Sequence, residues 1–235
     1  NTEKALNNTV IASGGHIQAI RIENRIVCGD IYGGFSKLGN TIGNHVYIDG
    51  TAQIDGNIYG GFVEYAPLIQ GKIHGIATNN TVTISGSPIL GETSTIYGGG
   101  TDKDFGSKGD LRSGNTLAIA TKALKVQNII NFETLHFTLQ ETHTNTSLIT
   151  LHGSDTTDLT QTDIAISLEP NTQLNEGQSI VLIEKKSPSL TLPKSTTITT
   201  KTPTTLYTFK LSTNQKKLIA TLLKRTQNET HLAKR

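Results

Sequence analysis

The chain lacks several of the residues on which compact domains usually depend. It has no Trp, no Met and a single Cys, and only 34% of its 235 residues are hydrophobic. That content is below the usual level for a domain with one rounded core, so an elongated architecture is indicated. The lone Cys28 excludes an internal disulfide, and we interpret it as a small buried apolar side chain.

Long apolar runs are absent as well. No segment reaches the roughly 20 residues of a membrane-spanning helix, and the chain starts at Asn1 without a signal-type segment. We therefore expect a processed or excised piece of a longer protein. Thr, Asn and Gly are in excess, and these residues are typical of strands and turns rather than of helices. The composition predicts an all-β protein.

Charge is unevenly distributed. The net charge is +2, but residues 181–235 contain eleven Lys or Arg against two acids (+9), and residues 1–180 contain ten against seventeen (−7). A basic end could favour an anionic surface such as lipopolysaccharide, a sulfated glycan or nucleic acid. Because the Lys residues are scattered between strands, a solvated polar face is the preferred interpretation, and no nucleic-acid partner is expected.

A strand phrase that begins with Asn recurs along the first half. It occurs as "NTVIAS" at Asn8, "NHVYIDG" at Asn44, "NTVTISG" at Asn80 and "NTLAIAT" at Asn115, at intervals of 36, 36 and 35 residues. The period predicts a solenoid, and the alternating apolar residues predict strands, so we expect a parallel β-helix with two coils per period. The four Asn share the parity of the buried positions, and we expect their amides to stack inward as a hydrogen-bonded ladder.

A second phrase, "IYGG", occurs three times. We expect its Ile to face inward, its Tyr to face outward, and its glycine pair to form a sharp corner with positive φ angles. Unequal intervals from the Tyr to the next Asn predict protruding loops at "FVEYAPLIQGKIHGIAT" and "GTDKDFGSKGDLRSG", which could carry binding function. The candidate binding residues on the loops and the outer face are Tyr32, Tyr59, Tyr65, Tyr97, Asp102, Asp104 and Lys108.

After about residue 121 the repeat fades. Further strands are predicted at "SLITLH", "DIAISLE", "QSIVLIE", "TLYTFKL" and "KLIATLL", with turn-rich segments between them. Since a solenoid must end in an atypical, polar-backed unit, we expect an irregular β cap, made either of irregular β-coils or of a hairpin sandwich. The predicted organisation is β-helix repeats over residues 1–126, C-terminal coils and cap over 127–224, and a linker or tail over 225–235.

No motif typical of a catalytic or metal site is present. The seven His show no HExxH and no close cluster, and no Ser lies in GxSxG. The loop with Asp102, Asp104 and Asp110 resembles an oxygen-rich Ca²⁺ loop, but it lacks the terminal Glu, and Lys103 and Lys108 would oppose a cation. A solvated loop is the preferred interpretation, and we expect no catalytic residue, metal or cofactor.

The repeats and the C-terminal segments together resemble the passenger of a Gram-negative autotransporter, of the type V secretion family. The resemblance rests on "IYGG" strands alternating with "GNxxNxVxIxG" strands, the junction "SGNTLAIATKALKVQNIINFETLHFTL", and "LNEGQSIVLIEKK" followed by "LYTFKLSTNQKKLIATLLKR", and it covers residues 28–224. In that family a right-handed β-helix is exported through a covalently linked outer-membrane barrel, and a C-terminal autochaperone-like segment folds first. The barrel is not in this sequence, and "HIQAIRIENRIV" matches no motif of the family.

The resemblance implies an all-β fold, a right-handed parallel β-helix with an irregular C-terminal β cap, on the bacterial cell surface or secreted. It also implies adhesion, self-association or biofilm formation, with a host-cell, matrix or glycan ligand, or like molecules on neighbouring bacteria, as partners. Two alternatives stay open. One is a polysaccharide-active β-helical enzyme, and the other is a non-binding structural stalk. We interpret Asp49 and Asp55, which bracket a turn, as turn-capping residues rather than a catalytic pair.

Overall fold

The computed structural model describes residues 4–22, 25–27, 29–64, 75–102, 109–140, 146–187 and 189–227. Every regular element in this part of the chain is a β-strand, and no helix occurs in it. The prediction of an all-β protein is therefore confirmed. The prediction for Cys28 lies outside the described residues.

The strands are numbered in chain order. Those before residue 80 are β1 (Ala5–Leu6), β2 (Thr9–Ala12), β3 (His16–Ile17), β4 (Ile20–Ile22), β5 (Arg25–Val27), β6 (Ile31–Tyr32), β7 (Phe35–Ser36), β8 (Thr41–Ile42), β9 (His45–Ile48), β10 (Gln53–Ile54), β11 (Ile58–Val63) and β12 (Ala77–Thr78). Those after it are β13 (Thr81–Gly86), β14 (Ile89–Leu90), β15 (Thr95–Thr101), β16 (Thr116–Thr121), β17 (Leu124–Val126), β18 (Asn128–Ile130), β19 (Thr134–Leu139), β20 (Ile149–Leu151), β21 (Asp163–Leu168), β22 (Ser179–Lys185), β23 (Thr197–Lys201), β24 (Thr205–Thr213) and β25 (Lys217–Gln227).

Most pairing is parallel. The largest parallel sheet, here called the front sheet, has the order β2-β9-β13-β16-β19-β21. A second parallel sheet, here called the glycine sheet, has the order β18-β15-β11-β6, with β7 also paired to β11. Two three-stranded parallel sheets, β1-β8-β12 and β14-β10-β3, contain the strands that precede and follow the front-sheet strands along the chain. Successive repeats of the chain thus each contribute a strand to the same set of sheets.

Each sequence period contributes one strand to the front sheet. Val46 pairs in register with Val10 on one side and with Val82 on the other. Strands one period apart are therefore direct neighbours, and the prediction of two coils per period is wrong. The physical reason is that one period of 36 residues passes through strands of all four parallel sheets and through the segments that connect them.

Side-chain alternation explains the burial of the front sheet. Val46 and Ile48 of β9 and Val82 and Ile84 of β13 are completely buried, whereas Thr83 between the latter two is half-buried on the other face. This period of two is that of a strand, so the strand prediction for these segments is confirmed. Each such Val or Ile contributes about 1.5–3 kcal/mol to the stability of the core.

The four asparagines of the repeated phrase lie in one stack beside the core. Nδ2 of Asn8 donates to Oδ1 of Asn44 at 2.9 Å, and Nδ2 of Asn44 donates to Oδ1 of Asn80 at 2.9 Å. Nδ2 of Asn80 in turn donates to Oδ1 of Asn115 at 3.3 Å. Each acceptor oxygen also accepts the backbone N–H of the Asn before it, at 3.0, 3.0 and 2.8 Å. The side-chain amides thus hydrogen-bond each repeat to the next, as the strands of the sheets do, at a position in the chain between two strands.

Two of the three glycine pairs lie inside strands, in β11 and β15, and no glycine of the three pairs has a positive φ. The predicted corner conformation is therefore wrong. A Cβ on Gly60 would lie 2.9 Å from Cβ of Asn80, and one on Gly61 would lie 2.7 Å from Nδ2 of Asn80. A Cβ on Gly34 would lie 2.5 Å from Nδ2 of Asn44. Glycine is required because any side chain here would collide with the asparagine stack.

The C-terminal part changes from parallel to antiparallel pairing. In this sheet, here called the C-terminal sheet, β17, β20 and β22 pair in parallel, and β22, β25, β24 and β23 then pair antiparallel. A strand is present in each of the five segments predicted after the repeat, so that prediction is confirmed. The predicted tail from residue 225 begins as strand, because β25 continues to Gln227 and pairs there with Thr205.

Candidate binding surfaces

The tyrosines of the repeated phrase form a stack along the glycine sheet. Tyr59 lies opposite both Tyr32 and Tyr97 in register. The ring centroids of Tyr32 and Tyr59 are 5.0 Å apart with an interplanar angle of 4°, and those of Tyr59 and Tyr97 are 4.7 Å apart with an angle of 11°. Parallel strands spaced about 4.8 Å apart bring equivalent side chains to this stacking distance.

Two phenylalanines extend this stack into an aromatic column. Phe35 and Phe62 stack at 5.6 Å, and Phe62 meets Tyr59 edge-on at 5.0 Å. In the third copy Gly100 pairs with Phe62, and a Cβ on Gly100 would lie 2.5 Å from Cδ1 of Tyr59. The sequence prediction missed both phenylalanines, although Phe follows the glycine pair in two of the three copies. The side chain of Phe35 is 45% exposed, so one end of the column is open to solvent.

Tyr59 lies at the centre of the column and is only 9% exposed. Tyr59 is not part of the main apolar cluster. Because neighbouring aromatic rings cover its side chain, the prediction that this ring is available to a ligand is wrong. Burial, and then the nearby Tyr97, Asp30 and Tyr32, raises the pKa of Tyr59 well above its ordinary value. Tyr32 and Tyr97 are half-buried, and Tyr32 donates its hydroxyl to Asp30 at 3.1 Å. The column is therefore buried at its centre and most exposed to solvent at Phe35.

The other predicted binding residues belong to the two long loops. Asp102 directly follows β15 and is half-buried. Tyr65, Asp104 and Lys108 lie outside the described residues. The loops begin where β11 and β15 end, and these two strand ends are neighbours in the glycine sheet. Both loops therefore start from one side of the molecule.

The outer face of the front sheet is a broad surface with many hydroxyl groups. Its residues alternate with the buried core positions and lie in rows across the six strands. The first row is Thr9, His45, Thr81, Thr116, Thr134 and Asp163, and the second is Ile11, Tyr47, Thr83, Ala118, His136 and Ala165. Most of these side chains are short and half-buried, so few of them project far from the sheet.

The two ends of this face differ in character. At the β2 end, Ile11 and Tyr47 are 64% and 39% exposed. At the β21 end, Nε2 of His136 and Oγ1 of Thr138 each lie 3.0 Å from Oγ of Ser167. Burial lowers the pKa of His136, so its imidazole is neutral at pH 7. The face is thus apolar at one end, and at the other it presents hydrogen-bonding groups together with the carboxylate of Asp163.

Asp55 lies at a turn and is already bound by neighbouring groups. Its Oδ1 is 3.0 Å from Nε2 of His16, and its Oδ2 accepts the backbone N–H of Ala19 at 3.1 Å. The hydrogen bond with His16, followed by that with Ala19, lowers the pKa of Asp55. Both partners lie in the preceding repeat, 39 and 36 residues earlier, so this carboxylate links successive repeats rather than capping its own turn as expected.

Within the described ranges, no group of three or more His, Cys, Asp or Glu side chains is placed to hold a metal ion. The same part of the chain has no helix that is long and apolar enough to cross a membrane. Comparison of the chain with protein-family models, curated proteins and solved structures found no match. The functional argument therefore rests on the surfaces of the molecule.

Proposed function

We propose that the chain is a right-handed parallel β-helix with a C-terminal β cap, of the kind found in autotransporter passengers, and that it acts in adhesion, self-association or biofilm formation. The repeated visit to the same parallel sheets supports the helical path, and parallel strands are almost always connected with right-handed geometry. The resemblance of the repeats and the C-terminal segments to passengers supports a position on the bacterial surface.

The outer face of the front sheet is the observation that carries the adhesive function. Five of the six parallel strands present short hydroxyl side chains in rows across this face, with exposed apolar groups at one end. A second flat polar face can meet it closely, and each hydrogen bond between them would contribute about 0.5–1.5 kcal/mol. No single bond of this kind is strong, so binding would come from their number and from many copies on each cell.

The C-terminal sheet supports the second part of the proposal, assistance in folding. β24 and β25 pair at nine positions and are joined by a short turn. Such a local hairpin closes with less loss of chain entropy than parallel strands separated by 36 residues. The hairpin then offers β22 a paired edge, on which the parallel strands that precede it assemble.

Surface display tests the adhesive function. Bacteria that display the chain through an unrelated outer-membrane anchor should sediment as clumps or adhere, whereas cells with the anchor alone should not. The double substitution Thr83→Lys and Thr116→Lys places two positive charges on the outer face and should abolish clumping by repulsion between like surfaces. Thr199→Lys, at an exposed position of β23, adds the same type of charge elsewhere and should leave clumping intact.

Two results would contradict the proposal. Clumping that is equal in the double variant and in wild type would remove the outer face from the mechanism. Displayed cells that neither clump nor adhere, together with a purified chain that cleaves a glycan, would favour the polysaccharide-active enzyme.

A further inference from the structure

A cleft with a volume of about 540 Å³ opens in the C-terminal part of the molecule. One wall is the segment 167–173, which leaves β21, and the other is the turn 200–205 between β23 and β24, with Tyr207 and Arg225. The volume is within the range of pockets that hold small molecules. The cleft lies apart from the aromatic column and from the loops considered above.

A β-bulge brings Arg225 into this cleft. In β24 and β25, Phe209 pairs with Leu222 but Thr208 pairs with Lys224, so Leu223 is an extra residue. Because of this extra residue, the side chains of β25 that follow Leu222 lie on the opposite sheet faces from those that regular alternation would give. Bulges of this kind redirect side chains, often at functional sites.

Because of this reversal, Arg225 pairs with Tyr207, and Tyr207 pairs with Thr200 on the next strand. Directly opposed residues share one face of a sheet, so these three side chains form a row across the C-terminal sheet. Without the bulge, Lys224 would stand opposite Tyr207 and Arg225 would lie on the other face.

The guanidinium of Arg225 is held in position without a charged partner. Its Cζ lies 6.0 Å from the centroid of the Tyr207 ring, a cation–π arrangement. Among the residues that the structure describes, no carboxylate forms an ion pair with this guanidinium and no acceptor binds it. Lys201 adds a second positive charge at the cleft. Glu176 lies nearby, but it accepts the backbone N–H of Arg225 at 2.8 Å.

The rest of the lining is suited to a polyol. Hydroxyl and amide side chains, for example Thr202, Thr204 and Asn171, line the cleft together with apolar groups such as Pro170 and Pro203. The carboxylate of Glu169 also lines the cleft, where it accepts a hydrogen bond from Gln140 and can accept further ones from sugar hydroxyls. Tyr207 is 3% exposed, so no aromatic ring is open for stacking with a nucleobase.

We propose that this cleft binds an acidic saccharide, with the carboxylate or sulfate of the sugar on the guanidinium of Arg225 and its hydroxyl groups on the polar lining. A planar guanidinium forms bidentate hydrogen bonds with either anionic group. The site is separate from the outer face of the front sheet, so failure of the clumping experiment would leave it unaffected.

Titration of the full chain, followed by ¹⁵N NMR and calorimetry, tests the site with glucuronic acid, glucose 6-sulfate, glucose and inorganic sulfate. The two acidic sugars should shift the amide signals of the cleft, and their relative affinities identify the preferred anionic group. Arg225→Ala should raise their dissociation constants about tenfold or more. Arg225→Lys keeps the charge but not the planar fork, and it should fall between Arg225→Ala and wild type.

Lys224→Ala is the matched control, since it removes an equal charge from the adjacent position in β25, and it should change the dissociation constants less than about twofold. Thermal unfolding by circular dichroism establishes that each variant is folded. Glucose binding as tightly as glucuronic acid would overturn the role of the anion. Inorganic sulfate binding as tightly as glucose 6-sulfate would overturn the role of the sugar, and an unchanged affinity in Arg225→Ala would overturn the site.

Discussion

Replacement of Asn80 by Ala should strongly destabilise the protein, because Asn80 is an interior member of the asparagine stack and its side chain makes four hydrogen bonds. It is completely buried. Its Oδ1 accepts N–H groups from the backbone and the side chain of Asn44, at 3.0 and 2.9 Å. Its Nδ2 donates to the carbonyl of Thr41 at 3.1 Å and to Oδ1 of Asn115 at 3.3 Å. The substitution removes all four bonds and leaves their partners in the interior.

The expected loss follows from these contacts. Each hydrogen bond contributes about 1 kcal/mol net, so removal of all of them should lower the free energy of unfolding by about 4 kcal/mol. That is a large part of the roughly 5–15 kcal/mol available to a typical domain. In a chain of this size about 1 kcal/mol corresponds to roughly 2–4 °C, so the melting temperature should fall by about 10 °C.

Asn8→Ala provides the matched control, because Asn8 is the exposed first member of the same stack. It loses only its side-chain bond to Asn44, and water can replace it, so the cost should be about 0.5–1 kcal/mol. Urea unfolding followed by far-UV circular dichroism measures both variants. Equal losses for the two substitutions would refute the argument from buried hydrogen bonds.

Asn80→Asp tests whether the destabilisation comes from lost hydrogen bonds or from lost side-chain volume. Asp has nearly the same size as Asn, but its carboxylate would face the carbonyl of Thr41 and Oδ1 of Asn115, to which Asn80 now donates. At pH 7 this variant should be less stable than Asn80→Ala, since a buried charge would face two acceptors. A stability close to that of wild type would show that the shape of the side chain, and not its amide donor, matters here.

Three further predictions concern single positions. Gly61→Ala should destabilise by about 1–3 kcal/mol because its Cβ would collide with the asparagine stack, whereas Gly14→Ala, with open space around it, should be neutral or slightly stabilising in the same melting assay. Burial lowers the pKa of His136 below 6.5, so on acidification the unfolded state binds a proton before the folded state does. The free energy of unfolding should therefore fall as the pH drops through 6.5 toward the folded pKa. His136→Asn should flatten this slope in pH-dependent melting. Burial likewise lowers the pKa of Lys185, although the charge of Asp155 acts to raise it. The Nζ of Lys185 donates a hydrogen bond to a backbone carbonyl at 2.8 Å. Stability should therefore rise as the pH increases through the folded pKa toward 10.5, and an unchanged rise in Lys185→Met would contradict this.

The strands were predictable because their signal is local. Val82 and Ile84 are two residues apart, and a period of two has one simple structural meaning. The number of circuits per period was not predictable in this way. A period gives the length of the repeating unit, but not how many of its residues lie in connecting segments, and here these take up much of the unit.

The glycine pairs and the cleft show a different limit of prediction from the sequence. A positive φ and a close approach by a neighbouring side chain both require glycine, so the sequence alone does not distinguish them; at Gly60 and Gly61 the second reason applies. The bulge at Leu223 has no glycine or proline to mark it. It depends on pairing with β24, and its consequence for Arg225 is therefore visible only in three dimensions.

The neighbouring ends of β11 and β15 also bear on how the protein could be modified. The segments that follow them differ in length, yet the strands on either side keep their register with equivalent strands of the next repeat. Lengthening such a segment costs little, about 0.6 kcal/mol for each doubling. A peptide epitope or a small folded domain could therefore be grafted after either strand without disturbing the asparagine stack, and the protein would serve as a display scaffold with attachment points on one side.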